Sequence, residues 1–281
     1  MLQRNDFQYD LHSHSIVSDG SLSPEALIER AAEHGVDVLA LTDHDATDGL
    51  EAARLAAKNH DIRLIPGVEI SVTWNAATVH VLGLGIDAQC DALQQGLQKL
   101  RGFRAWRAEE IARRLEKKGI SGALAGANKY ARGLLVSRTH FAHFLVESGH
   151  AKDVKQVFKK FLVAGKPGHV PGQWAQLEEA VDWITVAGGL AVIAHPARYR
   201  LSATRLRQLL SEFKACGGAG LEVVSSAHSQ SDCANMGRYA NQFGLLASRG
   251  SDFHGPEQPW VELGKIPPLP DECIPIWHNW N

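Results

Sequence analysis

Two histidines one residue apart close the first apolar run of the chain, Phe7-Gln8-Tyr9-Asp10-Leu11-His12-Ser13-His14. Along an extended chain, residues i and i+2 point to the same side. His12 and His14 can therefore aim two imidazoles at one point, as a metal ion requires. Similar pieces recur: Thr42-Asp43-His44-Asp45, Gly67-Val68-Glu69, His80 within Val79-His80-Val81, and Ala194-His195-Pro196. Ser251-Asp252-Phe253-His254 repeats the i, i+2 spacing near the other end of the chain. Each lies at, or just after, an apolar run that reads as a strand. Nitrogen and oxygen ligands on so many separate strands form a metal-site pattern, and the fold has to bring those strands together.

The spacing between the runs predicts how. The first strand, 7–12, leads to a helix with Ser23 as N-cap, Pro24 at its first position, Glu25 in its first turn and Gly35 at its end; these are start and stop signals in the right order. Further strands are expected at 36–41, 62–65, 78–82, 190–194, 221–224 and 245–248, with helices near 47–59, 177–187, 203–215 and 230–243. Repeated strand–helix units predict an α/β fold with a parallel sheet and outer helices. Seven units predict a closed or nearly closed barrel, a size that 281 residues accommodate as one domain. In such barrels the reactive groups gather at the C-terminal ends of the strands. All the candidate ligands fall there except His80, which lies inside strand four and has to reach the site as an inward-facing side chain.

Residues 99–166 are too long for one crossover. They read as a helical insertion over the barrel mouth, with helices near 90–118, 137–148 and 153–162 interrupted by Gly119, Gly122, Gly126 and Gly133. The expected division is a discontinuous barrel, 1–98 and 167–281, with the insertion between. The insertion carries 16 Lys or Arg against 5 Asp or Glu, a balance of +11 inside a chain whose net charge is −2. A module so basic is expected to face something anionic. The tail Ile266-Pro267-Pro268-Leu269-Pro270 is too Pro-rich for a helix.

Composition narrows the setting. No run approaches the ~20 apolar residues of a transmembrane helix, and Met1–Asp6 lack the apolar core of a signal peptide. Cys90, Cys216, Cys233 and Cys273 form no CxxC pair and are read as reduced thiols of a cytoplasmic protein. No obligate protein partner is evident.

Asp19, in the loop Val17-Ser18-Asp19-Gly20, completes a set of nine ligands: His12, His14, Asp19, His44, Glu69, His80, His195, Asp252 and His254. Nine are too many for one ion and suit three, each keeping a place for water or substrate. Three divalent ions against three carboxylates leave a site charge of about +3, suited to a phosphate group. Two close ions would acidify a bridging water into a hydroxide nucleophile, and the remaining charge would stabilise the phosphoryl and leaving oxygens. Asp43 and Asp45 fit capping or support of His44 as well as ligation.

These motifs, in this order, resemble the polymerase and histidinol phosphatase (PHP) family across about 7–260. The resemblance implies a distorted (β/α)7 barrel and a trinuclear centre, usually of manganese, with iron, zinc or magnesium as alternatives. It implies one ion held by His12, His14, Glu69 and Asp252, a second by Glu69, His80 and His195, and a third by Asp19, His44 and His254. Some relatives have His where this chain has Asp19. Glu69, Asp252 and His254 are expected to act in catalysis as well as in ligation.

Within the family, Val136-Ser137-Arg138-Thr139-His140-Phe141, Gly165-Lys166-Pro167-Gly168 and Val79-His80-Val81-Leu82-Gly83-Leu84-Gly85-Ile86-Asp87 resemble one branch. Its members remove the 3′-phosphate from nucleoside 3′,5′-bisphosphates and degrade short RNA from the 5′ end. A substrate with two phosphates needs metals for one and arginines for the other. Arg104 and Arg107, three apart, share a helix face, and Arg138 is expected to join them in a bidentate grip. Thr139, His140, Lys166, Arg198 and His254 are further candidates for substrate contact, while Trp74, Trp106 and Trp174 read as packing residues. A phosphatase of the histidinol-phosphate type is the alternative, although its cationic substrate matches a basic insertion poorly. A non-catalytic, metal-stabilised RNA-binding module is the other, against which stand nine dispersed ligands with open positions, since structural metal sites are usually closed four-ligand cages.

Overall fold

Alternation along the strands sorts the apolar residues into two shells. The structure is a computed structural model that describes residues 7–133 and 135–280; the segment 1–6, read above for a signal peptide, lies outside the described residues. Seven strands, β1 (Tyr9–Asp10), β2 (Val38–Leu41), β3 (Arg63–Trp74), β4 (Ala77–Leu84), β5 (Leu190–Ile193), β6 (Gly220–Ser225) and β7 (Leu246–Gly250), neighbour one another in chain order. On one side of them Leu39, Leu41, Val68, Ile70, Ala191, Ile193, Leu221 and Val223 pack under the outer helices. On the other, Leu11, Val38, Ala40, Leu82, Leu84 and Val192 fill the barrel. Tyr9 stacks on Trp277, ring centres 4.0 Å apart, beside this inner cluster. Toward the mouth the inward strand positions Glu69, Ser71, His80 and Glu222 are polar.

The circle is completed where the chain leaving β1 meets the chain leaving β7. Leu11 N–H donates to Arg249 O at 3.0 Å, Asp252 N–H to His12 O at 2.9 Å and His14 N–H to Phe253 O at 2.9 Å. Gly250 permits this approach: a Cβ there would lie 2.3 Å from His12 Cβ.

The expectation of a wholly parallel sheet fails at β4, which pairs antiparallel with both β3 and β5. Strand β3 is also longer than expected and turns directly into β4 through Asn75 (φ 45°) and Ala76 (φ 63°). Two central residues of positive φ make the tight hairpin turn whose twist suits paired strands. Glu69 consequently lies inside β3 and not after a strand. Because β4 runs against its neighbours, its early residues stand at the mouth, opposite the later part of β3, where His80 pairs with Ser71. That direction is the reason a mid-strand histidine reaches the site.

The outer helices are α1 (Pro24–Glu33), α2 (Leu50–Ala57), α7 (Leu177–Val186), α8 (Ala203–Ala215) and α9 (Gln230–Phe243). Ser23 caps α1, its hydroxyl accepting from Ala26 N–H at 3.2 Å, with Pro24 in the first turn. Between β4 and β5 run α3 (Asp91–Glu116), α4 (Ala123–Tyr130), α5 (Arg138–Glu147) and α6 (Val154–Val157), the last passing into a π-helical turn, Phe158–Leu162. Helix α3 joins two cores: Leu93, Leu97 and Leu100 pack on the barrel, while Ile111 and Leu115 join Phe141, Leu145, Val157 and Leu162 in a separate cluster. Helix α4 replaces an expected interruption. Gly126 does not break it; a Cβ there would lie 2.0 Å from the Phe144 ring, so glycine lets α4 and α5 touch. No helix among the described residues is long and apolar enough to cross a membrane.

Candidate metal centre and anion pocket

All nine candidate ligands meet at the barrel mouth, in four overlapping groups whose ligand atoms lie within 4.8 Å of one another. Glu69, fully buried, stands at the centre. Its Oε1 is 2.8 Å from His80 Nδ1 and 3.0 Å from His195 Nε2. Its Oε2 faces His44 Nδ1 at 2.9 Å, His14 Nε2 at 3.3 Å and His12 Nε2 at 3.4 Å. Asp252 Oδ1 is 3.4 Å from both His12 Nε2 and His14 Nε2. Asp19 Oδ1 lies 3.3 Å from His254 Nε2 and 3.8 Å from His44 Nε2. His195 (φ 29°) and Asp252 (φ 56°) both hold left-handed backbone, a local cost of the kind that collects at functional sites.

Charge is frustrated here. Burial alone would raise the Glu69 carboxyl, but His44, His80 and His12 hold it well below the usual carboxylate range. Burial opposes a charge on His14 too, yet hydrogen bonds to Asp252 and Glu69 win and raise its pKa to about 9. On His44 burial wins over Glu69 and Asp19 and lowers it to about 4. Six buried atoms remain without a well-formed hydrogen bond: His12 Nε2, His14 Nε2, Asp19 Oδ1, His44 Nδ1, Glu69 Oε2 and His195 Nδ1. Lone pairs left converging in a buried space are costly unless something satisfies them. Imidazole and carboxylate donors with overlapping positions fit divalent cations.

The same cavity extends to the insertion. Its wall includes Asp19, His44, Glu69, His80, His195, Asp252 and His254, with Arg198 beside Asp252, and also Ser71, Arg104, Arg107, Arg138, Thr139, Phe158 and Trp174. Arg104 donates to Asp45 Oδ2 at 2.6 Å and to Ser71 Oγ at 2.8 Å. Among the described residues Arg107 hydrogen-bonds only the Val170 carbonyl, at 3.1 and 3.2 Å. Both guanidiniums lie over the Trp174 ring, at 5.0 and 5.2 Å. Trp174 is packed in the core, as its reading had it, and is also a cavity wall. Arg138 stands over Phe158 at 5.7 Å. Burial, then Arg138 and Arg104, lower Arg107 to about 9; burial and Arg104 also lower Arg138. Neither Arg107 nor Arg138 has a carboxylate ion pair among the described residues. Arg198 pairs with Asp252. His140 and Lys166 do not line the cavity: the His140 ring accepts from Ser137 N–H at 3.1 Å as part of the α5 cap, and Lys166 is exposed.

Asp43 has the supporting role that the sequence left open for it, and two further supporting groups, Tyr199 and Glu222, were passed over in sequence. Asp43 accepts from Ser15 N–H at 2.8 Å and from the hydroxyls of Ser15 and Ser18 at 2.6 Å, fixing the loop that carries His14 and Asp19. The Tyr199 hydroxyl donates to Ala194 O at 2.7 Å and accepts from His80 N–H at 2.8 Å, tying the β4 and β5 ligands together. Glu222 is fully buried and accepts from His12 Nδ1 at 3.0 Å and His195 N–H at 2.5 Å. A lone acidic residue in the apolar run Leu221-Glu222-Val223-Val224 was the available signal.

Comparison with known proteins agrees with this geometry. The PHP domain family matches residues 10–226. The chain is 48% identical to a 3′,5′-nucleoside bisphosphate phosphatase of Chromobacterium violaceum, covering 96% of this chain and 95% of the relative. It is 46% identical to the 5′-3′ exoribonuclease Rnm of Escherichia coli, covering 97% and 94%. Among solved structures, a putative metal-dependent phosphoesterase from Bifidobacterium adolescentis superposes with a TM-score of 0.83 at 27% identity, covering 94% and 93%. With the family's span of the barrel, two near-full-length enzyme relatives and a buried histidine–carboxylate cluster at the mouth, the chain belongs to the PHP family of metal-dependent phosphoesterases.

Proposed function

We propose that this protein hydrolyses the 3′-phosphate of nucleoside 3′,5′-bisphosphates and, by the same chemistry, removes nucleotides from the 5′ end of short RNA. The observation that carries the reading is one cavity lined both by seven members of the nine-residue ligand cluster and by Arg104, Arg107 and Arg138. His12, His14, Glu69 and Asp252 would hold one ion, Glu69, His80 and His195 a second, and Asp19, His44 and His254 a third. Mn2+ is the first candidate, ahead of Fe2+, Zn2+ and Mg2+. The two Glu69 oxygens are turned toward different histidine sets, so Glu69 would serve more than one of these ligand groups. When bound, such ions polarise phosphoryl oxygens and lower the pKa of water.

The chain's own residues supply the rest. Arg107 and Arg138 are charged groups held in a cavity at a cost, and a phosphate dianion relieves it. Binding of the remote 5′-phosphate there would set the 3′-phosphate at the ligand cluster, so that binding energy positions the scissile group. Arg104, already paired with Asp45 and Ser71, fixes Trp174 and adds its field. Arg198, beside Asp252, stands at the cluster side and suits the scissile phosphate. His254 donates Nδ1–H to the Asp252 carbonyl at 2.9 Å, which leaves Nε2 facing Asp19 and the cavity. Thr139 lies beside Asp19 at 3.5 Å and lines the same space. A cytoplasmic location is part of this reading, and four free cysteines support it.

The test is phosphate release by purified protein with added Mn2+. A nucleoside 3′,5′-bisphosphate should be cleaved to the 5′-monophosphate, whereas the 5′-monophosphate alone and histidinol phosphate should be poor substrates. Equal rates on the bisphosphate and the monophosphate would mean that the second phosphate is not read.

A further inference from the structure

We infer that Glu222 is a positioning residue for metal binding, acting through the tautomer of His12 and the backbone of His195. The inference rests on the metal-binding reading above. Glu222 spends one oxygen on each partner: Oε1 accepts from His12 Nδ1 at 3.0 Å, and Oε2 from His195 N–H at 2.5 Å. A carboxylate that accepts from Nδ1 keeps the imidazole proton there. The lone pair is then left on Nε2, the atom aimed at Glu69 and Asp252 at 3.4 Å from each. The second bond holds the amide of a residue whose φ of 29° is uncommon for any residue but glycine. One carboxylate thereby orients ligands that follow two separate strands, β1 and β5.

The fold makes room for it. Strand β6 slips in register against β7 between Glu222 and Val224; such bulges re-aim a side chain next to active sites. A Cβ on Gly250 would come within 2.9 Å of Glu222 Oε1. Leu221 and Val223 turn outward under the helices, so the carboxylate points into the barrel with no access to water.

This geometry makes an unusual demand on substitutions. Glu222→Gln is the closest match in shape, but an amide has one acceptor and one donor group. The His195 backbone N–H can only donate, so the amide oxygen must face it. The amide NH2 then faces His12 Nδ1, which has to accept, and the imidazole proton moves to Nε2, the ligand atom. Glu222→Asp is shorter yet keeps two acceptors and the correct tautomer. A role confined to packing predicts that Gln is the milder change; the positioning role predicts the reverse.

The experiment is a Mn2+ titration of the metal-free wild type, E222Q and E222D, with metal content per chain measured after desalting and thermal melts of the metal-free forms alongside. Loss of a partner that orients a metal-ligating histidine weakens binding by about 10- to 100-fold. The expected order of affinity at the weakest affected ion is wild type, then E222D, then E222Q, with E222Q at least about tenfold below wild type and all three folded. E222Q binding as tightly as wild type, E222D binding less than E222Q, or loss of the fold in either variant would overturn the assignment, the last by giving Glu222 to the fold. A wild-type protein that bound no divalent ion would instead remove the metal reading itself.

Discussion

Asp252→Ala takes away the carboxylate that His12 and His14 both face at 3.4 Å and leaves those imidazoles with one fewer opposite charge. Bound metal per chain should fall, and turnover should drop by ~10³-fold or more if the metal-activated water is the nucleophile; full activity with intact metal content would refute the ligand assignment. Arg138→Ala should leave metal content unchanged. It should lower kcat/KM for a nucleoside bisphosphate by about 10- to 150-fold, the value of a charged hydrogen bond of ~1.5–3 kcal/mol, and much less for a small chromogenic ester without a second phosphate. An equal loss on both substrates would put Arg138 at the scissile phosphate or in the fold. Protons compete with metal at His14. Its metal-free pKa of about 9, with His12 beside it also held well above the ordinary imidazole range by Glu222, Glu69 and Asp252, means that at neutral pH an ion must displace protons, so the apparent Mn2+ affinity should climb with pH by up to about tenfold per unit for each proton released. Titrations at three pH values giving one affinity would show that no proton is displaced. The ligands themselves were legible because histidine and carboxylate are scarce at the ends of apolar runs. Glu222 was not, since a single acidic residue inside such a run carries no spacing to betray it. The place of Trp174 in the cavity wall was not either, because it depends on arginines about seventy positions earlier in the chain.

Hairpin β3–β4 is the element that most changes the picture, and its turn explains why it was missed. Two-residue hairpins of this type announce themselves through Asn-Gly or Asp-Gly. Here the pair is Asn75-Ala76, with Ala76 held at φ 63°. Ala76→Gly removes the left-handed strain of ~1–2 kcal/mol and adds back ~0.4–1 kcal/mol of unfolded-state entropy. The net gain should appear as a melting temperature raised by a degree or more, with turnover unchanged; a lowered melting temperature would mean that the turn is not strained. Element existence was otherwise well read, since caps such as Ser23-Pro24 and the alternation of apolar residues act locally. Strand direction is not local: it depends on which neighbour β4 finds. Gly126 misled for a similar reason, because a glycine that marks helix–helix contact looks in sequence like one that ends a helix.

Across the whole molecule, charge is unevenly divided. The barrel mouth holds the acidic ligands, while the +11 balance lies in the insertion that carries Arg104, Arg107 and Arg138 to the cavity. Part of that charge has no ion-pair partner among the described residues. Lys155, Lys159 and Lys160 are exposed along α6 and the π-turn, and none is in an ion pair among the described residues. The same turn presents Phe158 to the cavity. A mononucleotide held by the arginines and the ligand cluster has no further phosphates to offer these lysines, but a longer RNA does. Replacing all three by alanine should therefore raise KM for a 5′-phosphorylated RNA oligomer while changing KM for a nucleoside bisphosphate less than about twofold, since only the chain's outer phosphates lose a partner. The salt dependence should shift with it: each lost phosphate contact flattens the slope of log affinity against log salt by about 0.7 for a single strand. Kinetics on both substrates at several salt concentrations separate the outcomes. A parallel loss on the two would place the lysines' influence on the cavity as a whole, and no loss on either would leave them as ordinary solvated charge.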